Sequence, residues 1–235
     1  GGGVPQVGPS VLEGSTANSF EGTLTLTHGV LDLAKPAGLN AVPGDFVIGT
    51  TGAAAVRLMN SDQIHDSSHV TLGGPEVSRI ELQGHAEKIG SLTLKSHGEI
   101  IMGSGPASLT AGDSHSREWN PAATLTVIGF KPGKDLIAFG RSSRGLTEAQ
   151  LARIGFDSPE GFAAGLYTAK AGPGGDLSPG TLVRAVNPPF DVSAGAAAAR
   201  AKLWDFPGLA RIGAENSPLR DGLVIDFFGD SITWQ

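Results

Sequence analysis

The residues best suited to chemistry lie near the C-terminal end of the sequence. An apolar run, Leu223-Val224-Ile225, continues through Phe227 and Phe228 into Gly229-Asp230-Ser231-Ile232-Thr233. The run reads as a β-strand, and the turn after it presents the Ser231 hydroxyl at the strand's carboxyl end. Open α/β sheets place their reacting groups there. A hydroxyl so placed is a candidate nucleophile. A serine hydroxyl is a poor nucleophile without a neighbouring base, and no histidine follows Ser231. The six histidines are His28, His65, His69, His85, His97 and His115. All fall in or beside predicted turns and are expected to be solvated.

Other polar groups cluster less tellingly. Asp62, His65 and Asp66 are close in sequence, as are Asp113 and His115. Both groups read as solvated turn residues, and no metal site is expected. The stretch Gly172-Pro173-Gly174-Gly175-Asp176 superficially matches a calcium-binding glycine repeat, but the nonapeptide does not recur. Gly3, Gly8 and Gly14 are irregularly spaced with no phosphate-loop lysine nearby, so no nucleotide or other cofactor is implied.

The elements that must carry these residues are mostly short strands. Leu24 and Leu26 alternate with Thr23, Thr25 and Thr27, the period-two pattern of a half-buried strand. Similar runs follow at Val30–Leu33, Asp45–Ile48, Ala55–Leu58, His69–Leu72, Ser78–Leu82, Ser91–Leu94, Glu99–Met102, Ser108–Thr110, Thr124–Ile128 and Asp135–Phe139. Leu24 to Phe46 is 22 residues, Phe46 to Val70 is 24, and Val70 to Leu92 is 22. That period is too short for a propeller blade and fits one coil of a parallel β-helix. An antiparallel sandwich or barrel fits the strand spacing as well. Thr147 is placed to cap a single helical turn at Glu148–Leu151. Further strands are expected at Arg153–Phe156, Leu166–Ala171 and Thr181–Val186. Asn187-Pro188-Pro189 breaks the pattern, and Ser193 then precedes an Ala-rich helical run, Ala194 to Trp204. Trp204 is expected to pack on a sheet, and Trp234 to line a pocket or be buried.

Composition sets the outer bounds. With 35 Gly, 15 Pro and 17% charged residues, the 235-residue chain is too Gly-rich for a helical bundle and too apolar for a disordered chain. A net charge of −6 without a basic block argues against nucleic acid. No run reaches the ~18 apolar residues of a membrane span. The opening Gly-Gly-Gly-Val-Pro does not read as a signal peptide. The absence of cysteine excludes disulfides, so an exported fold would rest on repetitive packing.

Two resemblances refine this reading. Residues 19–186 resemble the autotransporter-associated β-strand repeat region of bacterial surface proteins. The similarity is carried by Asn18-Ser19-Phe20-Glu21-Gly22-Thr23-Leu24-Thr25-Leu26, by Leu31-Asp32-Leu33-Ala34-Lys35-Pro36, and by Ile80-Glu81-Leu82 with Glu87-Lys88-Ile89-Gly90-Ser91-Leu92-Thr93-Leu94. The segments Ile137–Gly140, Gly145–Leu151 and Gly161–Ala169 resemble the region that closes such repeats. This resemblance implies a right-handed parallel β-helix and an extracellular or cell-surface location. The second resemblance is to the GDSL-type, or SGNH, ester hydrolases, in the block Gly229-Asp230-Ser231-Ile232-Thr233. It implies that Ser231 is the nucleophile and a backbone oxyanion donor, supported by Gly229 and Asp230. The family's later glycine, asparagine and Asp-x-x-His blocks do not follow in this sequence.

The expected architecture is mainly β. Residues 1–18 are a linker, 19–187 a parallel β-helix with a terminal cap, and 188–235 a short helical segment and the first strand of an incomplete hydrolase domain. The expected role is a surface display or structural module attached to an ester hydrolase. The alternatives are a self-assembling fibre subunit and an esterase completed by a further segment. Expected partners are other copies of the chain through the β-helix ends, or a C-terminal hydrolase fragment. Leu24, Leu26, Leu31, Leu33, Ile48, Leu58, Leu72, Leu82, Leu92 and Leu94 are expected to point inward.

Overall fold

A computed structural model describes residues 9–185. Its strands are β1 Ser10–Leu12, β2 Leu24–Leu26, β3 Gly29–Leu33, β4 Phe46–Ile48, β5 Ala54–Leu58, β6 His69–Leu72, β7 Ser78–Glu81 and β8 Ala86–Ile89. They continue as β9 Ser91–Leu94, β10 Gly98–Ile101, β11 Ser108–Ala111, β12 Leu125–Ile128 and β13 Leu136–Phe139. After helix α1, Glu148–Leu151, come β14 Ile154–Asp157, β15 Gly165–Ala171 and β16 Leu177–Ala185.

The strands stack as a parallel β-helix. One sheet runs β1-β3-β5-β7-β10-β12-β14, all in parallel, and ends in the antiparallel pair β15-β16. A second runs β2-β4-β6-β9 and a third β8-β11-β13, both parallel. Consecutive strands β2 and β3 fall in different sheets, which removes the antiparallel sandwich and barrel. The spacing read from the sequence is the coil register itself. Leu24 lies beside Phe46, Phe46 beside Val70, and Val70 beside Leu92.

That register builds the core. Leu31, Val56, Ile80, Ile100, Val127 and Phe156 form one continuous inward column through six coils, each residue buried. Each such side chain gains about 1.5–3 kcal/mol on burial. No coil could bury its apolar face alone, so stability is shared between neighbours. The corners must be tight as well. A β-carbon on Gly112 would overlap the carbonyl oxygen of Gly90, one coil earlier. Only glycine lets the two backbones approach so closely.

The structure departs from expectation in three places. Ser10–Leu12, within the expected linker, is a strand paired in parallel with β3. Residues 86–89 form β8, which the sequence pattern did not mark, because an inward position is occupied by Glu87 rather than an apolar residue. Leu24 and Leu26 pack against the core yet remain half-exposed, because no described strand lies on their outer side. The other eight leucine and isoleucine positions expected inward are buried.

Helix α1 forms for the reason its sequence implies. Thr147 Oγ1 accepts the Gln150 N–H at 3.1 Å, and Gln150 Oε1 accepts the Thr147 N–H at 2.8 Å, a reciprocal capping box. The Gln150 side chain is buried and also donates to the carbonyls of Ser114 and Arg117. The Ala-rich run to Trp204, the strand Leu223–Phe228 and Trp234 lie outside the described residues.

Candidate functional site

Ser231, with Gly229 and Asp230, also lies outside the described residues. Within the β-helix the polar groups fall into three arrangements, each fixed by the coil register.

The first is a serine–histidine pair. His69 opens β6 and Ser91 opens β9, and the two are register partners. Ser91 Oγ lies 2.8 Å from His69 Nδ1, and Thr71 Oγ1 lies 3.3 Å from His69 Nε2. Arg117 Nε donates to Ser91 Oγ at 3.1 Å, and Asp45 Oδ1 accepts the His69 backbone N–H at 2.9 Å. Burial holds the imidazole below its usual pKa, the nearby Arg117 cation lowers it further, and Asp45 pulls the other way. His69 is therefore not the solvated turn residue expected from the sequence. A hydroxyl within hydrogen-bond reach of a neutral imidazole is the elementary geometry of an activated nucleophile. Two features block that chemistry. Ser91 is only 3% exposed, and the far nitrogen of His69 meets a threonine hydroxyl rather than an orienting carboxylate. The segment following β11 covers the edge of β9 beside the pair. Ser114 Oγ accepts the Leu92 N–H, Trp119 Nε1 donates to the Leu92 carbonyl, and the Asn120 N–H donates to that of Leu94.

The second arrangement is a series of buried side-chain acceptors that complete the backbone ladder where regular pairing lapses. Gln63 Oε1 accepts the Lys35 N–H at 2.9 Å. Glu87 accepts the N–H groups of Gln63 and Ile64 at 2.8 and 3.3 Å, one oxygen each. Asp135 Oδ1 accepts the Ala107 N–H at 2.9 Å. Each acceptor comes from a later coil, so the side chain stands in for a strand carbonyl that is not there. Burial pushes the Glu87 carboxyl up to about 7, although its backbone donors oppose the rise; Asp62 adds to it.

The third is a polar groove on the outside of the stack. Lys88, Thr110, Asp113, Arg141 and Ser142 line a volume of about 590 Å³, with Gly90, Gly112 and Gly140 also at its surface. A neighbouring hollow of about 450 Å³ is lined by Asn40, Asp62 and His65, and shares Asp66 and Lys88 with the first. Of the groups noted in the sequence, Asp62, His65, Asp66 and Asp113 sit here. Asp66 pairs with Lys88 at 2.5 Å, and Asp113 with His115 at 2.6 Å. The His115 hydrogen bond holds the Asp113 carboxyl below the usual carboxylate range. Asp62-Gln63-Ile64-His65 has the Asp-x-x-His spacing of a hydrolase acid–base pair. In the fold His65 Nδ1 instead faces the Ser67 hydroxyl at 2.8 Å and accepts its backbone N–H, a local turn contact. Among the described residues no three His, Asp or Glu side chains converge as metal ligands.

The sequence reading missed His69, Ser91 and Glu87. For the first two a signal existed, since they stand 22 residues apart in a chain whose coil is 22 to 24 residues long. Arg117 joins them from an irregular segment and left no such signal. Comparison with protein-family models, with characterised proteins and with solved structures gave no match.

Proposed function

We propose that the β-helix is a structural or display module of a surface-exposed or secreted protein, carrying the first block of an SGNH-type ester hydrolase at its C-terminal side. One observation carries the module reading: the core column from Leu31 to Phe156 is unbroken. Stacked coils of this kind hold attached groups at a distance set by coil number, about 4.8 Å per coil. The hydrolase part of the reading rests on the resemblance around Ser231 and on the strand pattern that precedes it.

The test is an esterase assay on the 235-residue chain with short acyl esters. The expected result is turnover at background, equal in the wild type and in Ser231→Ala. Turnover that Ser231→Ala abolishes would replace the module reading with that of a working esterase. Turnover lost instead on Ser91→Ala would show that the pair on the β-helix is open to substrate.

A further inference from the structure

The polar groove beside the third sheet takes its length from the coil register. Lys88 on β8 and Thr110 on β11 are paired positions on successive coils. Gly90, Gly112 and Gly140 each stand one residue beyond the paired positions Ile89, Ala111 and Phe139. Three coils in a row therefore offer backbone rather than a side chain at the floor of the groove. Gly112 and Gly140 donate their N–H groups to the carbonyls of Ile89 and Ala111, which keeps that floor in step with the coils. The hollow of about 590 Å³ above it adjoins the hollow of about 450 Å³ at Asp66 and Lys88. Both volumes fall in the range of ligand sites. Together they make a trough from Asn40 to Arg141, across four coil steps of about 4.8 Å each.

The walls of the trough mix donors and acceptors. Lys88 and Arg141 belong to coils two steps apart, about 10 Å along the stack, and Thr110, Ser142, Asp66 and Asp113 line the same space. Lys88 is paired with Asp66, with both side chains more than half exposed, and an exposed pair of this kind is readily exchanged for a ligand group. Among the described residues Arg141 pairs with no carboxylate. The lining holds no phenylalanine, tyrosine or tryptophan, and its only large apolar side chain, Ile89, is buried. The strands beneath it are paired on both sides. β11 lies between β8 and β13, Ala86 of β8 accepts the Asp62 N–H, and Ala138 of β13 bridges to Asp176.

We propose that this trough binds an acidic oligosaccharide, a chain of sugar rings bearing carboxylates, laid along the stack axis. Its carboxylates accept charge-assisted hydrogen bonds from Arg141 and Lys88. Its hydroxyls donate to Asp66 and Asp113 and exchange hydrogen bonds with Thr110 and Ser142. Other chains fit less well. An extended peptide is captured through a free strand edge or through pockets for its side chains, and neither lines the trough. A single-stranded nucleic acid needs aromatic platforms on which its bases stack. A neutral sugar would leave both cations without a counter-charge. Nothing in this chemistry draws on Ser231.

The experiment is isothermal titration calorimetry on the 235-residue protein with tetramers of galacturonate and of mannuronate, the methyl esters of both, and hexaglutamate. At least one uronate tetramer is expected to bind saturably, and more weakly as salt rises. Its methyl ester, similar in shape but uncharged, should bind at least about tenfold more weakly. So should the uronate itself to Arg141→Ala or to Lys88→Ala, since each change removes a charge-assisted hydrogen bond. Both side chains are exposed, so each variant should keep the wild-type circular dichroism. Lys170→Ala, an exposed change outside the trough, should bind as the wild type does. The net charge of −6 works against general attraction of an anion, so saturable binding reports the local cations. Four results would each overturn the proposal: no binding of either uronate, methyl esters that bind as tightly, an affinity unmoved in both alanine variants, or hexaglutamate bound as tightly as the better uronate.

Discussion

Replacing Glu87 with glutamine removes a buried carboxylate that ties stability to pH. Glu87 is 2% exposed, and burial raises its carboxyl from 4.5 to about 7 in the fold. As pH rises past 4.5 the unfolded chain gives up this proton first, while the folded chain keeps it until about 7. The unfolded state therefore binds fewer protons across that window, and stability must fall as pH rises through it. A gap of about 2.5 pH units, at 1.36 kcal/mol per unit, makes the loss about 3 kcal/mol between pH 4.5 and 7. Above that window the Glu87 contribution is flat. Glutamine cannot ionise, but it keeps only one oxygen. Its amide nitrogen must then face the N–H of Gln63 or Ile64, a donor against a donor that costs about 1–3 kcal/mol. Glu87→Gln should thus be the less stable protein near pH 4.5, with the gap closing or reversing by pH 7.5. Urea unfolding of both proteins at a series of pH values measures this directly. The difference between the two curves isolates Glu87, since every other titrating group is common to both. A difference that does not change with pH, or a wild type that gains on the variant as pH rises from 4.5 to 7, would refute the account.

Two further changes probe the stack. Phe46 is fully buried between Leu24 and Val70, so Phe46→Ala should cost about 3–5 kcal/mol by urea unfolding, through lost transfer energy and an unfilled cavity. Gly112→Val should be at least as harmful, because the new β-carbon meets the Gly90 carbonyl oxygen, a backbone atom that cannot swing aside; a protein of unchanged midpoint would show that the corner is looser than drawn.

Much of the fold was legible because a coil repeats a distance. Leu24, Phe46, Val70 and Leu92 announce their own pairing by spacing alone. The cap at Thr147 was legible for a different reason, since a threonine followed three residues later by glutamine satisfies two orphan donors locally. β8 was illegible because its inward position carries Glu87. The pattern of strands records which face is apolar, and a carboxylate serving as a substitute ladder acceptor inverts that mark. β1 was hidden by its surroundings, three residues set among glycine, proline and serine. Its pairing with β3 depends on a coil twenty-odd residues away, which local composition cannot report.

The candidate site shows the same limit more sharply. Register brings His69 to Ser91 at hydrogen-bond distance without any demand of catalysis, because side chains at equivalent positions on adjacent coils always meet. Such encounters are the ordinary product of a solenoid. Catalysis needs more: a base oriented by a third group, and space beside the hydroxyl for a substrate. Whether that space exists depends on Ser114, Trp119 and Asn120, which leave the coil path to cover β9. Arg117, from the same covering segment, supplies a donor to the Ser91 oxygen where a nucleophile would need a free lone pair. The covering segment thus buries the Ser91 hydroxyl and commits its oxygen to Arg117, so that the register contact with His69 lacks the free space and orienting group that nucleophilic chemistry needs.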